Sequence, residues 1–225
     1  MGRGDRVDSF GHDDGGFVRF LERLERHFEK IVLLGDAFEI LTAPRPGSPR
    51  AEMGAILRAH PEIVRHLLSP RYVYLHGNHD HPARNILGAA SELWLEQHGL
   101  RILFTHGHEC DWIIRRAPQF SSLCIWLGGW LRRMRWNALY RLSRDLDVAM
   151  RMGQETPEVS KFQLWALSLA EARGADVVVT GHTHRPGVRA FGSRMFLNSG
   201  TCSEGRFDFL HLDTASATFG FARGP

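Results

Sequence analysis

The chain has 225 residues, 43% of them hydrophobic and 24% charged, the balance of a globular domain long enough to bury one sizeable core. A net charge of +3 and a sequence pI near 9.0 make a field too weak to argue for a nucleic-acid partner, and no apolar run reaches the roughly 18–20 residues of a membrane span. Cys110, Cys124 and Cys202 are odd in number and far apart, which argues against a disulfide framework and for a reducing, cytoplasmic setting.

Phe17, Phe20, Leu21, Leu24 and Phe28 recur at helical spacing with Arg and Glu between them, predicting an amphipathic helix. IVLLGD, Ile31 to Asp36, is a continuous apolar run cut by Gly-Asp, the pattern of a strand buried on both faces. After the proline-rich TAPRPGSPR, a second helix is expected from about Ala51 to Leu68. RYVYLHGNHD, RILFTHGHE and ADVVVTGHTHR each read as a strand running into a polar turn. Strands separated by helices predict an α/β layered fold. Past Val188, RMFLNSG, RFDFLHL and ATFGFAR are short and closely spaced, predicting an antiparallel or mixed sheet that closes the domain.

Between Glu109 and Thr156, four tryptophans (112, 126, 130 and 136) interleave with Arg115, Arg116, Arg132, Arg133, Arg135, Arg141 and Arg144. The pattern is helical but interrupted at Pro118 and Gly128-Gly129, and Thr156-Pro157 marks a helix restart with threonine as N-cap. The whole reads as a single domain, 1–225, with a helical lid inserted at about 109–156. Trp and Arg together suit an interface between apolar chains and anionic headgroups, so peripheral contact at the inner membrane face is expected of this insertion. The bland alternative is a helical hairpin whose tryptophans pack on the sheet; single-stranded nucleic acid is a weaker third, given the small overall charge.

Four strand ends carry turns dense in metal-ligand residues: Gly35-Asp36, Gly77 to Asp80, His106 to His108, and Gly181 to His184. Ligands of α/β sheets bind beyond the carboxyl ends of strands, and glycine lets the backbone turn out of the sheet close to a ligand. Imidazoles, a carboxylate and an amide oxygen suit borderline divalent ions such as Zn, Mn or Fe. One histidine at a strand end is more often solvated or capping than ligating; four such turns in register make metal the better reading.

The series GD…GNHD…HGH…GHTH, in this order, resembles the calcineurin-like metallophosphoesterase superfamily, from Ile31 to roughly Gly200. The resemblance implies a four-layer α-β-β-α sandwich with two metals at the strand ends. It implies that Asp36 bridges both metals, that Asn78, His106 and His182 complete the second site, and that His184 belongs to the first. It implies His79 as general acid near the leaving group, oriented by Asp80, and in-line attack of a metal-bound hydroxide on a phosphomonoester, phosphodiester or pyrophosphate. His108 matches no ligand position and is expected to pack beside the site. Asp80 also has the simpler reading of a turn-forming Asp.

The superfamily pattern opens with D-x-H at the end of a first strand, and that motif is absent here. One expectation is that Met1-Gly2 occupies the positions just after that histidine, with the assigned start falling at an internal methionine. The rival is a rearranged site in which Asp5, Asp8, His12, Asp13 and Asp14 fold back as replacement ligands. Without either, one metal is expected to bind well and a second poorly, and a catalytically impaired scaffold, as in the superfamily's retromer subunit, stays open. Retention of His79 argues against the scaffold, which has no need of a general acid. The lid, the LGDAFE run and NSG after GHTHRP are similar to the UDP-2,3-diacylglucosamine hydrolase branch, which implies a lipid-linked substrate; His79 in place of that branch's usual GNRD arginine, and the HGH form at 106–108, leave a broader phosphoesterase acting on a phosphorylated small molecule equally open.

Overall fold

The structure, a computed structural model, describes residues 1–5, 7–136, 138–139, 142 and 160–224. Arg141, Arg144 and the helix restart expected at Thr156-Pro157 lie outside the described residues.

Helix α1 (Asp14–His27) starts at Asp13, whose carboxylate accepts the Gly16 N–H at 2.8 Å, and it buries Phe17, Phe20, Leu21 and Leu24. Strand β1 (Ile31–Leu34) pairs in parallel with β2 (Tyr72–Leu75), Ile31 opposite Tyr72. Between them lie a 3₁₀ turn (Ile40–Thr42) and helices α2 (Pro49–Ala59) and α3 (Pro61–Leu67). The single helix expected over 51–68 is therefore two. Pro61 has no N–H to continue the ladder and drives His60 out of the helical region, to φ −130°, ψ 56°. The displaced His60 ring is buried and bonds Asp14 at 2.8 Å and the Gly2 carbonyl at 3.1 Å.

A short helix α4 (Ala83–Leu87) leads to β3 (Glu92–Gln97) and β4 (Leu100–Thr105), an antiparallel hairpin. Its turn is His98-Gly99, both at positive φ (51° and 78°), which matches the twist of the flanking strands. Helices α5 (Trp112–Arg116) and α6 (Pro118–Arg133) occupy the described part of the insertion. Helix α7 (Lys161–Arg173) begins with a capping box in which Ser160 and Gln163 satisfy each other's backbone N–H. There follow β5 (Val177–Thr180), β6 (Gly187–Phe191), β7 (Arg194–Asn198), β8 (Asp208–Asp213) and β9 (Thr218–Arg223).

Among the described residues the larger sheet has the order β3-β4-β5-β7-β6, with β4, β5 and β7 parallel. The last strands do not form one closing sheet. The β6–β7 hairpin extends the larger sheet through β5, while β8 and β9 pair only with each other.

Alternation of side chains along each strand produces four layers. Ile31, Leu33, Tyr72 and Tyr74 face the outer helices with Leu21, Met53, Ile56 and Ile63. Val32, Leu34, Val73 and Leu75 face the other way and meet Ile102, Phe104, Val179 and Leu197 of the larger sheet, with Leu210 and Leu212 of β8. On the far side Leu103, Val178 and Phe196 pack on Phe162, Ala166 and Ala170 of α7. The order is α-β-β-α, and the carboxyl ends of β1, β2, β4 and β5 come to one edge.

The first residues are tied down by one carboxylate. Asp8 accepts the backbone N–H groups of Gly2 (2.8 Å), Gly4 (2.9 Å) and Phe10 (2.9 Å). Burial pushes this carboxyl up, but the three donors outweigh it and hold its pKa below the usual 3.8. Asp8→Ala is therefore expected to destabilise the fold by about 1–3 kcal/mol at neutral pH. Because the folded-state pKa is depressed, this stabilisation is present above the unfolded value and is lost as pH falls through the folded one. Urea unfolding of both proteins should show the gap at pH 7 and a shrinking gap below the ordinary carboxylate range.

Candidate metal centre

The turn after β1 can approach the turn after β2 only because glycine stands at both. A Cβ on Gly35 would lie 2.5 Å from His106 Nδ1, and one on Gly77 would run into the Asp36 carboxylate. Gly35 is at φ +86° and Asp36 at +53°, so the chain leaves β1 through two left-handed residues and turns the Asp36 carboxylate toward β4. His182 and His184 also adopt left-handed backbone, at φ 43° and 58°. Three of the seven such non-glycine residues described thus belong to these turns, where conformational strain gathers at functional sites.

His106, at the end of β4, is almost fully buried. Its Nδ1 bonds the Leu34 carbonyl at 2.6 Å, an arrangement that places the proton on Nδ1 and the lone pair on Nε2. Around Nε2 stand Asp36 Oδ2 at 3.2 Å, Asn78 Oδ1 at 3.2 Å and His182 Nδ1 at 3.3 Å. Asp36, His106 and His182 each offer a ligand atom, and the three atoms lie within 4.8 Å of one another. A carboxylate, an amide oxygen and two imidazoles converging on one point is a set that a cation or a shared proton satisfies, and its softness matches a borderline divalent ion. The charges agree. Burial raises the Asp36 carboxyl, but the neighbouring His106 and His79 outweigh it and hold the group well below the carboxylate range. Burial lowers His106, but the Asp36 charge and hydrogen bond outweigh it and raise the imidazole.

His184 is placed outside this group. Its ring is lowered by burial and feels the charges of Asp36, His79 and His106, so it borders the centre.

His79 donates its backbone N–H to Asp36 Oδ1 at 2.8 Å, and its ring Nδ1 meets Glu39 Oε2 at 3.0 Å. Burial disfavours the imidazolium, but Glu39 and Asp36 more than compensate and push the pKa up to about 10. The partner that orients His79 is thus Glu39, not the expected Asp80. Asp80 is fully buried and engaged elsewhere: it accepts the N–H of Gly77 (2.6 Å) and Phe38 (3.2 Å) and the Tyr74 hydroxyl (2.5 Å), which pins both turns to β2. Burial and the charge of Asp36 raise its pKa. Glu39 was within reach of sequence reasoning, standing three residues after Asp36 in LGDAFE.

His108 packs beside His106 and His76, with ring centroids 5.3 and 5.9 Å away. Burial, reinforced by the charge of His106, pushes its pKa down to about 3. A cavity of about 160 Å³ runs from Asn78, His81 and His108 to Pro118, Ser121 and Ser122 of α6.

The N-terminal acids are not replacement ligands. Asp5 pairs with Arg133 at 2.8 Å, Asp8 binds backbone N–H groups, Asp13 caps α1, and Asp14 pairs with His60. The His12 ring bonds the Cys202 carbonyl at 3.2 Å. The first residue lies against the Asp36 loop: the Met1 ammonium donates to the Ala37 carbonyl, and the Met1 carbonyl accepts the Glu39 N–H, both at 2.8 Å.

The chain is similar to known proteins. A UDP-2,3-diacylglucosamine hydrolase of Shewanella halifaxensis (strain HAW-EB4) is 24% identical over 193 residues, covering 76% of this chain and 75% of that protein. Among solved structures, an archaeal phosphodiesterase superposes with a TM-score of 0.49 at 15% identity, over 96% of this chain and 95% of the other. A predicted phosphoesterase of Streptococcus pneumoniae TIGR4 gives 0.43 at 18%, over 96% and 94%. Residues 12–186 match the family described as calcineurin-like phosphoesterase, and the chain belongs to that family.

Proposed function

We propose that this protein is a metal-dependent hydrolase of phosphate esters or anhydrides. The observation that carries the reading is the convergence of Asp36, Asn78 and His182 on His106 Nε2, beside the His79 ring that Glu39 engages. A divalent ion held by Asp36, Asn78, His106 and His182 would polarise a phosphoryl oxygen and offset charge developing on it. The protein's own groups do the rest. The Leu34 carbonyl fixes the His106 tautomer, as the orienting partner of a ligating histidine does. Glu39 engages His79 Nδ1, so Nε2 is the ring nitrogen from which a proton can pass to a departing oxygen. Asp80 keeps the GNHD turn in place, a positioning role. A narrower reading, hydrolysis of a lipid-linked nucleotide sugar such as UDP-2,3-diacylglucosamine, is favoured by the Shewanella relative.

Calorimetric titration with Mn²⁺ should show binding that falls in Asp36→Asn and His106→Ala by at least the roughly 10–100-fold that loss of an outer-shell partner produces. Unchanged affinity in both variants would remove the proposed centre. In Mn²⁺, His79→Gln should lower kcat by roughly 10²–10⁴ on an alkyl phosphate ester, whose leaving oxygen needs a proton, and far less on a p-nitrophenyl ester, whose leaving group does not. Glu39→Gln should show the same split in weaker form. Equal losses on both substrates would assign His79 to binding. Metal bound without hydrolysis of either would favour the scaffold.

A further inference from the structure

We propose that the cavity between the turns after β2 and β4 and helix α6 is a subsite for a neutral, hydroxyl-bearing six-membered ring, a sugar or cyclic polyol esterified to the phosphate, a role that rests on the hydrolase reading of the adjoining centre. Seven buried side-chain nitrogen or oxygen atoms among the described residues have no hydrogen-bond partner, and four of them gather here: both ring nitrogens of His76, His108 Nδ1 and Glu109 Oε2. Leaving such atoms unpaired is costly, so a cluster of them marks a place where a further group pairs with them. The His76 and His108 rings are 5.9 Å apart, and both residues are buried, at 8% exposure. His108 Nδ1 stands 3.7 Å from Glu109 Oε2, too far for a hydrogen bond. A hydroxyl between them would donate to the carboxylate and accept from the ring. None of these atoms is among the donors around His106 Nε2. Helix α6 closes the other side. Pro118, Ser121 and Ser122 line the cavity at i, i+3 and i+4, and Trp126, whose buried Nε1 is a fifth unpaired atom, follows one turn on.

The lining decides what fits. The cavity holds about 160 Å³, close to the roughly 150 Å³ that takes one benzene-sized ring. No lysine or arginine lines it, and the Glu109 carboxylate stands beside His108, so a bare phosphate or carboxylate would meet repulsion instead of a counter-charge. Spacing argues against a cation: among the described residues only Asp36, His106 and His182 bring three His, Cys or acidic donors within 4.8 Å of one another. An acyl chain or a plain hydrocarbon ring would bury the His108 nitrogen without a partner. A polyol ring meets each demand. Its hydroxyls donate and accept among imidazole, carboxylate and serine groups, while its C–H faces lie on Ile114 and Pro118. Ser122 Oγ already donates to the Pro118 carbonyl at 2.8 Å, which leaves it as an acceptor for a ligand hydroxyl. Asn78 belongs to both places. It lines the cavity, and its Oδ1 lies 3.2 Å from His106 Nε2, so a ring seated here lies next to a phosphoryl group held at the candidate centre.

The test compares two esters that share a six-membered ring and differ in its hydroxyls, myo-inositol 1-phosphate and cyclohexyl phosphate, hydrolysed by the full chain in Mn²⁺. Wild type should favour the inositol ester in kcat/KM by at least about 10²-fold; a site built to bond a hydroxyl rejects the analogue lacking it by up to roughly 10⁴–10⁵. The two leaving alcohols differ in acidity, so the deciding number is how that preference changes on substitution. His108→Phe keeps an aromatic ring and removes Nδ1, and Ser121→Ala removes a hydroxyl. Each should cut the preference about tenfold, the effect of one lost hydrogen bond. A ratio taken within one preparation cancels the fraction of enzyme folded or metal-loaded, so a partly unfolded variant still reports. A preference unmoved by both substitutions, or a wild type that favours cyclohexyl phosphate, overturns the subsite and leaves the hydrolase reading standing. Hydrolysis of neither ester counts against the hydrolase reading instead, and NMR titration of the metal-free protein then decides the subsite by itself. There myo-inositol 1-phosphate should shift the ring signals of His76 and His108, while cyclohexyl phosphate and inorganic phosphate should leave them in place. Equal shifts from all three, or from none, would overturn the subsite as well.

Discussion

Everything at the candidate metal centre depends on one hydrogen bond, from His106 Nδ1 to the Leu34 carbonyl. It joins the two sheets, because His106 ends β4 and Leu34 ends β1. It also fixes chemistry. A buried imidazole with its proton on Nδ1 has one lone pair left, and that lone pair faces Asp36, Asn78 and His182. The same contact that closes the sandwich at this edge selects the tautomer able to hold a metal. Substituting His106 would therefore remove a candidate ligand and an inter-sheet tie together, so loss of binding alone would not separate the two roles.

The layered architecture was legible because both faces of the central strands are buried, which writes apolar runs such as IVLL and ADVVV ending in Gly-Asp or Gly-His. What escaped was set by local geometry that apolar periodicity does not report. The helix over 51–68 has an unbroken amphipathic pattern across His60-Pro61, and the break comes from a missing N–H. Strand β3 lies at the end of its sheet, and its partly exposed side chains weaken the apolar signal that marks β4. The terminal strands divide between two sheets because β7 aligns with β5 by parallel pairing, a non-local match that spacing does not encode.

At the candidate site, the converging side chains were legible as residue types at strand ends. Asp36, Asn78, His106 and His182 meet because four parallel-running strand ends deliver them to one edge. The roles of the acids were not legible. Asp80 and Glu39 are both near His79 in the chain or across the turn, and which one touches the ring depends on the path of two loops. Asp80 lies directly under the turn, where Gly77 N–H, Phe38 N–H and the Tyr74 hydroxyl use its oxygens. Glu39, held in place as its backbone N–H bonds Met1, is left to reach His79.

These constraints explain how the turns hold strained conformations. Left-handed backbone at Asp36, His182 and His184 costs of order 1–3 kcal/mol at each residue and persists only where the surroundings over-determine it. At Asp36 they do: one carboxylate oxygen accepts the His79 N–H, the other faces His106, and the flanking glycines leave no room for the chain to relax around a Cβ. At His182 the ring is packed between His106 and Phe162, at centroid distances of 5.1 and 6.0 Å. At His184 the carbonyl is held by Arg206 at 3.0 Å. The strain is offset by contacts that lie within the site itself, so the donor geometry is set by the folded chain, and a cation entering it would have little reorganisation left to drive.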